Sequence, residues 1–258
     1  MRPHYGIDAP GLVRGFFAGG VGLLIASAVI YALVPGSWSH WVAMILFVAA
    51  FYPLGMFCLM LRWSLVVKVK GREAILDLIK WTGSEAVLDI GCGRGLMLVG
   101  AAKRLSSGSA IGIDIWQAQD QSTNNAQAPL DNARLEGVDD RVRVQTADMR
   151  TLPFKNGAFD VVVSHWVVHN VEPQGDRAKA LAEMVRVLRP GGSILLADIV
   201  NRDEYRDEFL RLGASDVRIV AKSKLKDNLL NIVSFGSFKP TTILARGFAK
   251  MEEPALLP

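Results

Sequence analysis

The stretch Val87-Leu88-Asp89-Ile90-Gly91-Cys92-Gly93-Arg94-Gly95 constrains the fold more than any other part of the chain. An apolar run with one acid passes directly into three glycines at alternate positions. Leu96 to Leu105, rich in Leu, Ala and Val, then reads as a helix. A strand, a tight turn and a helix start in so few residues commit the chain to an α/β fold. Glycine carries no Cβ and tolerates positive φ, so the backbone of the turn can approach a ligand closely. The helix start behind it offers unpaired N–H groups. The stretch predicts a small polar ligand lying across the turn.

The elements around it follow the same alternation. Ile75, Leu78 and Ile79 recur at helical spacing, with Gly83 placed to end that helix. Ala110-Ile111-Gly112-Ile113-Asp114 is a second strand ending in a carboxylate, about twenty residues beyond the glycines, where an acid can accept both hydroxyls of a ribose. Gln117 to Leu135 is polar and mostly helical, interrupted by Asn124, Asn125 and Asn132. Arg141 to Val144 alternates as a third strand and runs into Ala147-Asp148-Met149; Thr151 to Phe154 is a loop, and Phe159 to Ser164 is a short buried strand. His165-Trp166-Val167-Val168-His169-Asn170 then crosses the mouth of the ligand site. His165 and His169 are candidate proton acceptors, since imidazole titrates near neutrality; the alternative is that one packs and the other hydrogen-bonds locally, while Trp166 reads as core. Asp176 can cap a helix whose apolar face is Leu181, Met184, Val185 and Leu188. Arg189-Pro190-Gly191-Gly192 turns into a strand from Ser193 to Val200. A helix from Arg202 to Leu212 and strands at Asp216 to Val220 and Thr241 to Arg246 follow.

Half of the 258 residues are hydrophobic, and the mean hydropathy of +0.25 is high for a soluble enzyme. The surplus lies in two charge-free runs, Gly15 to Val34 and Trp41 to Leu61, each about 20 residues and long enough to cross a hydrocarbon core. Pro35 to His40 is the turn between them. The first run is too long for the core of a signal peptide, no small-x-small cleavage site follows, and a second span comes at once. A helical hairpin is therefore expected, with residues 1–70 as a membrane anchor and 71–258 as the soluble domain. Arg2 and Arg14 precede the first span, while Arg62, Lys68, Lys70 and Arg72 follow the second, which places both termini and the catalytic domain in the cytoplasm. Trp38, Trp41 and Trp63 sit where interfacial aromatics belong. Gly19, Gly20, Gly22 and Gly55 can let the helices pack closely. Lys222 to Pro240 is basic and then apolar, suited either to the anionic leaflet or to an ordinary turn and covering helix. Cys58 and Cys92 suggest neither a disulfide nor a metal site. A net charge of +4, without basic residues interleaved with aromatics, gives no reason to expect a nucleic-acid partner.

Asp89-x-Gly91-x-Gly93-x-Gly95, Phe159-Asp160-Val161-Val162 and Leu188-Arg189-Pro190-Gly191-Gly192-Ser193 together resemble the class I S-adenosylmethionine-dependent methyltransferases, in the small-molecule group that includes quinone-biosynthesis enzymes. The resemblance covers about Gly71 to Gly247. It implies a Rossmann-like seven-stranded sheet with the last strand inserted antiparallel, and S-adenosylmethionine as cofactor. The residues it implies at that cofactor are Asp89, Gly91, Gly93 and Gly95 at the methionine end, Asp114 at the ribose, Asp148 and Met149 at the adenine, and also Cys92, Ile115 and Ser164. The acceptor it implies, given the anchor, is a small molecule or lipid that partitions into the bilayer: a quinone, a lipid, or an apolar hydroxyl or thiol compound. Methyl transfer needs near-attack geometry and exclusion of water more than a catalytic triad, so the lack of a triad or metal cluster does not count against an enzyme. Two other readings stay open. A nicotinamide-dependent oxidoreductase would use the same strand and acid but wants Gly-x-Gly-x-x-Gly, and a membrane scaffold can keep the fold without turnover.

Overall fold

The branched apolar runs read from the sequence assemble into one mixed sheet. The computed structural model describes residues 3–117, 124–220 and 240–248. The basic-then-apolar stretch beginning at Lys222 lies outside the described residues. By their contacts the residues fall into two units: one built on His4–Lys70 with 117–124, the other on Gly71–Trp116 and the chain from Asn125 onward.

The first unit is a helical hairpin of α1 (Pro10–Leu33) and α2 (Ser37–Arg62). A π-helical turn, Trp63–Val67, joins α2 to α3 (Lys68–Leu76) without a break. The connection is shorter than the sequence predicts. Gly36 takes φ +111°, and Ser39 donates its hydroxyl to Val34 and Gly36 carbonyls at 2.8 and 2.6 Å, so α2 starts four residues before Trp41. Small residues line the seam between the helices. A Cβ on Gly20 would lie 2.6 Å from Leu54 Cγ, Ser27 donates to the Ala43 carbonyl at 2.7 Å, and Ala43 and Ala50 are buried. Of the glycines expected to allow close packing, Gly20 does so; Gly19, Gly22 and Gly55 face open space. The large apolar side chains, including Phe17, Ile25, Trp41, Ile45, Val48 and Phe51, point outward. Lys68, read from the sequence as one of the interfacial cations, is instead buried, with its ammonium on the Tyr5 and Gly6 carbonyls and the Asp8 carboxylate, each at 2.8 Å.

The second unit holds β1 (Ala86–Ile90), α4 (Leu96–Ala102), β2 (Ser109–Asp114), α5 (Gln127–Leu135), β3 (Val142–Thr146), β4 (Phe159–His165), α6 (Gln174–Val187), β5 (Leu188–Asp198), α7 (Arg202–Arg211), β6 (Asp216–Val220) and β7 (Thr241–Arg246). The strand order is β3-β2-β1-β4-β5-β7-β6. The first five strands are parallel and β7 runs antiparallel between β5 and β6. This is the seven-stranded sheet with an inserted antiparallel strand that the sequence implies. β1 and β4 are buried almost throughout, as central parallel strands covered on both faces must be. Leu181, Met184, Tyr205 and Phe209 from α6 and α7 complete a core with Leu88, Ile90, Val162 and Ile194.

Several local expectations differ. The helix before β1 stops at Leu76, and Gly83 (φ +91°) is not its cap; the Gly83 carbonyl accepts the N–H groups of Ser106, Ser107 and Gly108, tying the loop before β1 to the loop after α4. The described helix within 117–135 is confined to Gln127–Leu135. Asp176 lies inside the first turn of α6, whose N-cap position is Pro173, and its carboxylate pairs with Arg150 and Lys179. Leu188 already pairs with Phe159, and the register jumps to Val161↔Ser193, so Arg189–Gly192 bulge out of β5 instead of preceding it. Gly192 is needed there because a Cβ would sit 2.7 Å from the Asp160 carbonyl oxygen.

Candidate functional site

Strands β1, β2 and β3 are laid outward in one direction, and β4 returns to the other side of β1. That reversal opens a crevice at the carboxyl ends of β1 and β4, where ligands of open parallel sheets bind. The sequence ends every neighbouring strand there with a polar side chain: Asp89 beside Ile90 on β1, Asp114 on β2, Ser164 and His165 on β4, Asp198 on β5.

The glycine turn takes the backbone its residues permit. Gly91, Gly93 and Gly95 have φ of +67°, +48° and +82°. A Cβ on Gly91 would lie 2.5 Å from both Val167 methyls, and one on Gly95 would lie 2.9 Å from Pro129 Cβ. Asn132, buried on α5, donates to the Arg94 carbonyl at 2.9 Å and braces the turn from behind. Asp89 is almost wholly buried, and its Oδ2 has no hydrogen-bond partner among the described residues. Burial, and secondarily the charge of Asp114, push its carboxyl well above the usual range against the opposing effect of the Leu98 N–H.

Asp114 binds the turn from β2. Its Oδ2 accepts the Gly93 N–H at 2.8 Å and its Oδ1 accepts the Trp116 N–H at 2.6 Å. Trp116 has φ +61° and donates its indole N–H to Thr146 Oγ1 at 2.8 Å, while Ile115 is exposed between them. Past β3, Asp148 is held by Arg150, whose Nε reaches both carboxylate oxygens at 3.0 Å and whose Nη2 reaches Oδ2 at 2.6 Å. The Arg150 hydrogen bonds, outweighing burial, keep the Asp148 carboxyl below its ordinary value. Met149 packs against the core.

Two predicted cofactor residues have their polar groups engaged elsewhere. Cys92 donates its N–H to Ile113 and accepts the Gly95 N–H on its carbonyl, and its buried thiol packs against Gly112. Burial, followed by the charges of Asp89 and Asp114, pushes that thiol up. Ser164 is fully buried with its hydroxyl on the Ile90 carbonyl at 3.1 Å. The two histidines differ as well. His165 stacks on Trp166 with ring centroids 5.0 Å apart, and Trp166 is half-buried rather than core. His169 places Nδ1 2.6 Å from Asp198 Oδ1.

Sequence reasoning passed over Val167, Arg150, Asp198 and Tyr205. Asp198 carried the one available signal: it ends an apolar strand, Leu195-Leu196-Ala197-Asp198, as Asp114 ends β2.

The sheet order, with β7 inserted antiparallel, is the seven-stranded methyltransferase fold. Residues 88–196 match the family model described as a methyltransferase domain. Methyltransferase GfsG of Streptomyces halstedii is 32% identical over 135 residues, covering 52% of this chain and 45% of the relative. The chain thus spans about half the length of the curated relatives it matches. Geranyl diphosphate C-methyltransferase from Streptomyces coelicolor A3(2), solved with Mg2+, geranyl diphosphate and S-adenosyl-L-homocysteine, superposes with a TM-score of 0.53 at 19% identity over 74% of this chain and 84% of that one. The [4+2]-cyclase SpnF superposes with a TM-score of 0.54 at 17% identity over 70% and 82%. These structural likenesses concern the fold, and the cyclase's name is a reminder that one fold serves more than one reaction.

Proposed function

We propose that the chain is a membrane-anchored methyltransferase that moves the methyl group of S-adenosylmethionine to a small acceptor. The observation that carries the reading is the pair of acids flanking three left-handed glycines at the switch point of the sheet, one of them, Asp89, buried with an unpartnered oxygen. The residues present fit that cofactor: the turn is a cradle that a Cβ at Gly91 would fill. Asp89, Gly91, Gly93 and Gly95 would hold its methionine end, Asp114 with Ile115 its ribose, and Asp148 with Met149 its adenine. When bound, it supplies a methyl group already attached to a good leaving group. The protein's own work is to hold the acceptor in line, exclude water and accept any proton the acceptor loses. His165 at the end of β4, and His169 on the loop after it whose Val167 lies against Gly91, are the acceptor-side candidates for that proton.

The anchor reading rests on the hairpin. Both helices are long and apolar enough to span a membrane, with mean hydropathy of 2.1 and 2.3 over the best windows, and only 11% of each window is buried. A helix pair in a soluble protein would bury its large apolar side chains, whereas this one buries glycine, serine and alanine. The basic residues flanking the spans favour a cytoplasmic domain and cytoplasmic ends of the hairpin. An acceptor that partitions into the bilayer, such as a quinone, a lipid or an apolar hydroxyl or thiol compound, follows from that placement.

The test is transfer of labelled methyl from S-adenosylmethionine by the detergent-solubilised protein to fractionated cell extract, followed by phase partition. Label in the organic phase supports the whole reading. Aqueous label keeps the reaction and overturns the apolar acceptor, and absence of label despite cofactor binding favours a scaffold.

A further inference from the structure

Asp198 is almost completely buried, yet three fixed donors and one histidine ring nitrogen converge on its carboxylate. Oδ1 takes the Ile199 N–H at 2.8 Å and faces His169 Nδ1 at 2.6 Å; Oδ2 takes the His169 backbone N–H at 3.0 Å and the Tyr205 hydroxyl at 3.2 Å. Two backbone N–H groups and the Tyr205 hydroxyl are aimed at its oxygens, so in this arrangement the carboxylate is the accepting group. With both oxygens in that accepting role, the imidazole nitrogen 2.6 Å from Oδ1 is the donor. The lone pair of neutral His169 is therefore on Nε2. That nitrogen has no protein partner among the described residues, and the side chain is one-fifth exposed.

The mounting is rigid. Tyr205 is 1% exposed, and burial together with the Asp198 charge pushes its phenol upward, so it stays a neutral donor. Arg177, also buried, forks onto both Glu204 oxygens at 2.9 and 3.1 Å and donates to the Val171 carbonyl at 3.0 Å. That clamp joins the start of α7, which carries Tyr205, to the end of the loop that carries His169. The same loop places Val167 over Gly91. A structural histidine needs none of this, whereas a base needs a fixed tautomer and a fixed ring.

We propose that Asp198 and Tyr205 are positioning residues that fix His169 as the proton acceptor of the site, and that the methyl acceptor is accordingly a hydroxyl compound, giving a methyl ether. The inference rests on the methyltransferase reading above and names the acceptor class within it. A neutral hydroxyl is a poor nucleophile toward a sulfonium methyl and gains most from a positioned base. The hydroxyl proton passes to His169 Nε2 and the oxygen electron pair forms the new O–CH3 bond. The pair of the breaking C–S bond returns to sulfur, leaving a neutral thioether. Asp198 offsets the imidazolium charge until the proton leaves to water.

The tautomer can be read without knowing the acceptor. The full chain, labelled with 15N-histidine and solubilised in detergent with S-adenosylhomocysteine, has four histidines, and the His169→Gln spectrum identifies the signals of His169. The expected result is a neutral ring protonated on Nδ1 and bare on Nε2, with Asp198→Asn losing that preference. In the labelled-methyl assay on extract, His169→Gln and Asp198→Asn should each lower transfer by about 10²-fold or more, with Tyr205→Phe affected less. S-adenosylhomocysteine affinity should stay within about twofold, since the acceptor side alone is touched. A wild-type ring protonated on Nε2 overturns the proposal. So does full transfer by His169→Gln, which alters no buried side chain, or label found on carbon, nitrogen or sulfur. Failure of the wild type to bind S-adenosylhomocysteine or to transfer methyl overturns the methyltransferase reading instead, and the two failures are distinguishable.

Discussion

Replacing Gly91 by alanine tests the geometry of the turn directly. Alanine at φ +67° costs about 1–2 kcal/mol for a left-handed residue bearing a Cβ. The new methyl would lie 2.5 Å from both Val167 methyls and 2.7 Å from Val167 Cβ. A β-branched side chain cannot swing clear by a terminal rotation, so the overlap adds about 1–3 kcal/mol of strain. Together Gly91→Ala should cost about 2–5 kcal/mol, which for a domain of this size lowers the unfolding midpoint by on the order of 10 °C. The assay is thermal unfolding of the full chain in detergent, followed by the near-ultraviolet signal of the domain, for the two single variants and the double. Val167→Ala alone removes two half-buried methyls and should cost about 1 kcal/mol. In the double variant the two 2.5 Å methyl overlaps are gone while the 2.7 Å approach to Cβ and the backbone strain remain, so the pair should recover about 1–2 kcal/mol relative to additivity. S-adenosylhomocysteine binding, weakened in Gly91→Ala, should return in part. Strict additivity, or a Gly91→Ala protein as stable as wild type, would refute the claim that Val167 packs on the turn.

Asp114→Ala removes the acceptor of the Gly93 and Trp116 N–H groups and should abolish measurable S-adenosylmethionine binding in calorimetry; unchanged affinity would sink the ribose assignment. Arg150→Met releases Asp148 from its bidentate partner and should raise S-adenosylhomocysteine affinity a few-fold if Asp148 serves the adenine, while a loss of affinity would mean that Arg150 itself supports the ligand. Glu85 is disfavoured as an anion by burial, but hydrogen bonds from Thr82 and Gly83 outweigh this and hold its carboxyl below 4.5. Its contribution is therefore present above the unfolded value and lost as pH falls through the lower folded one. The gap between wild type and Glu85→Gln in urea unfolding should be widest near neutrality and close on acidification below 4.5. Val48→Lys places a charge at an exposed position in the middle of α2. In a membrane this costs about 2.5–3.5 kcal/mol at the centre of a span and should shift the chain into an alkaline carbonate wash, whereas on a soluble surface it would be neutral.

Much of the fold was legible because its signals are local and periodic. Val87 to Ile90 and Phe159 to Ser164 are continuous apolar runs that only doubly covered strands need, and the alternate glycines fix the turn between β1 and α4. The hairpin was legible from length and the absence of charge. What escaped is non-local. The capping roles expected of Gly83 and Asp176 fit their sequence positions, but the partners that claimed them, the Ser106 to Gly108 N–H groups and Arg150, are set by the tertiary fold. Lys68 looks like an interfacial cation until the chain folds back and supplies Tyr5, Gly6 and Asp8. Within the site, Asp89 and Asp114 could be picked by their distance from the glycines. Asp198 could not, because its meaning comes from His169, 29 residues away, and no spacing rule links them.

The three acids at the carboxyl edge of the sheet show why residue type and position alone do not assign roles. Asp89 is buried with one oxygen unpartnered, so its charged form is disfavoured until something supplies a donor. Asp114 accepts an N–H on each oxygen, from Gly93 and from Trp116. Asp198 is equally buried but receives three donors and faces a histidine ring nitrogen. A carboxylate short of donors is poised to gain one from a ligand, whereas a carboxylate saturated by the protein can act only through the group it holds. The first condition suits the proposed cofactor binding at β1, and the second suits the proposed orientation of a base at β5. In the proposed function, the donor side and the acceptor side of the site differ in the hydrogen-bond supply around their strand ends.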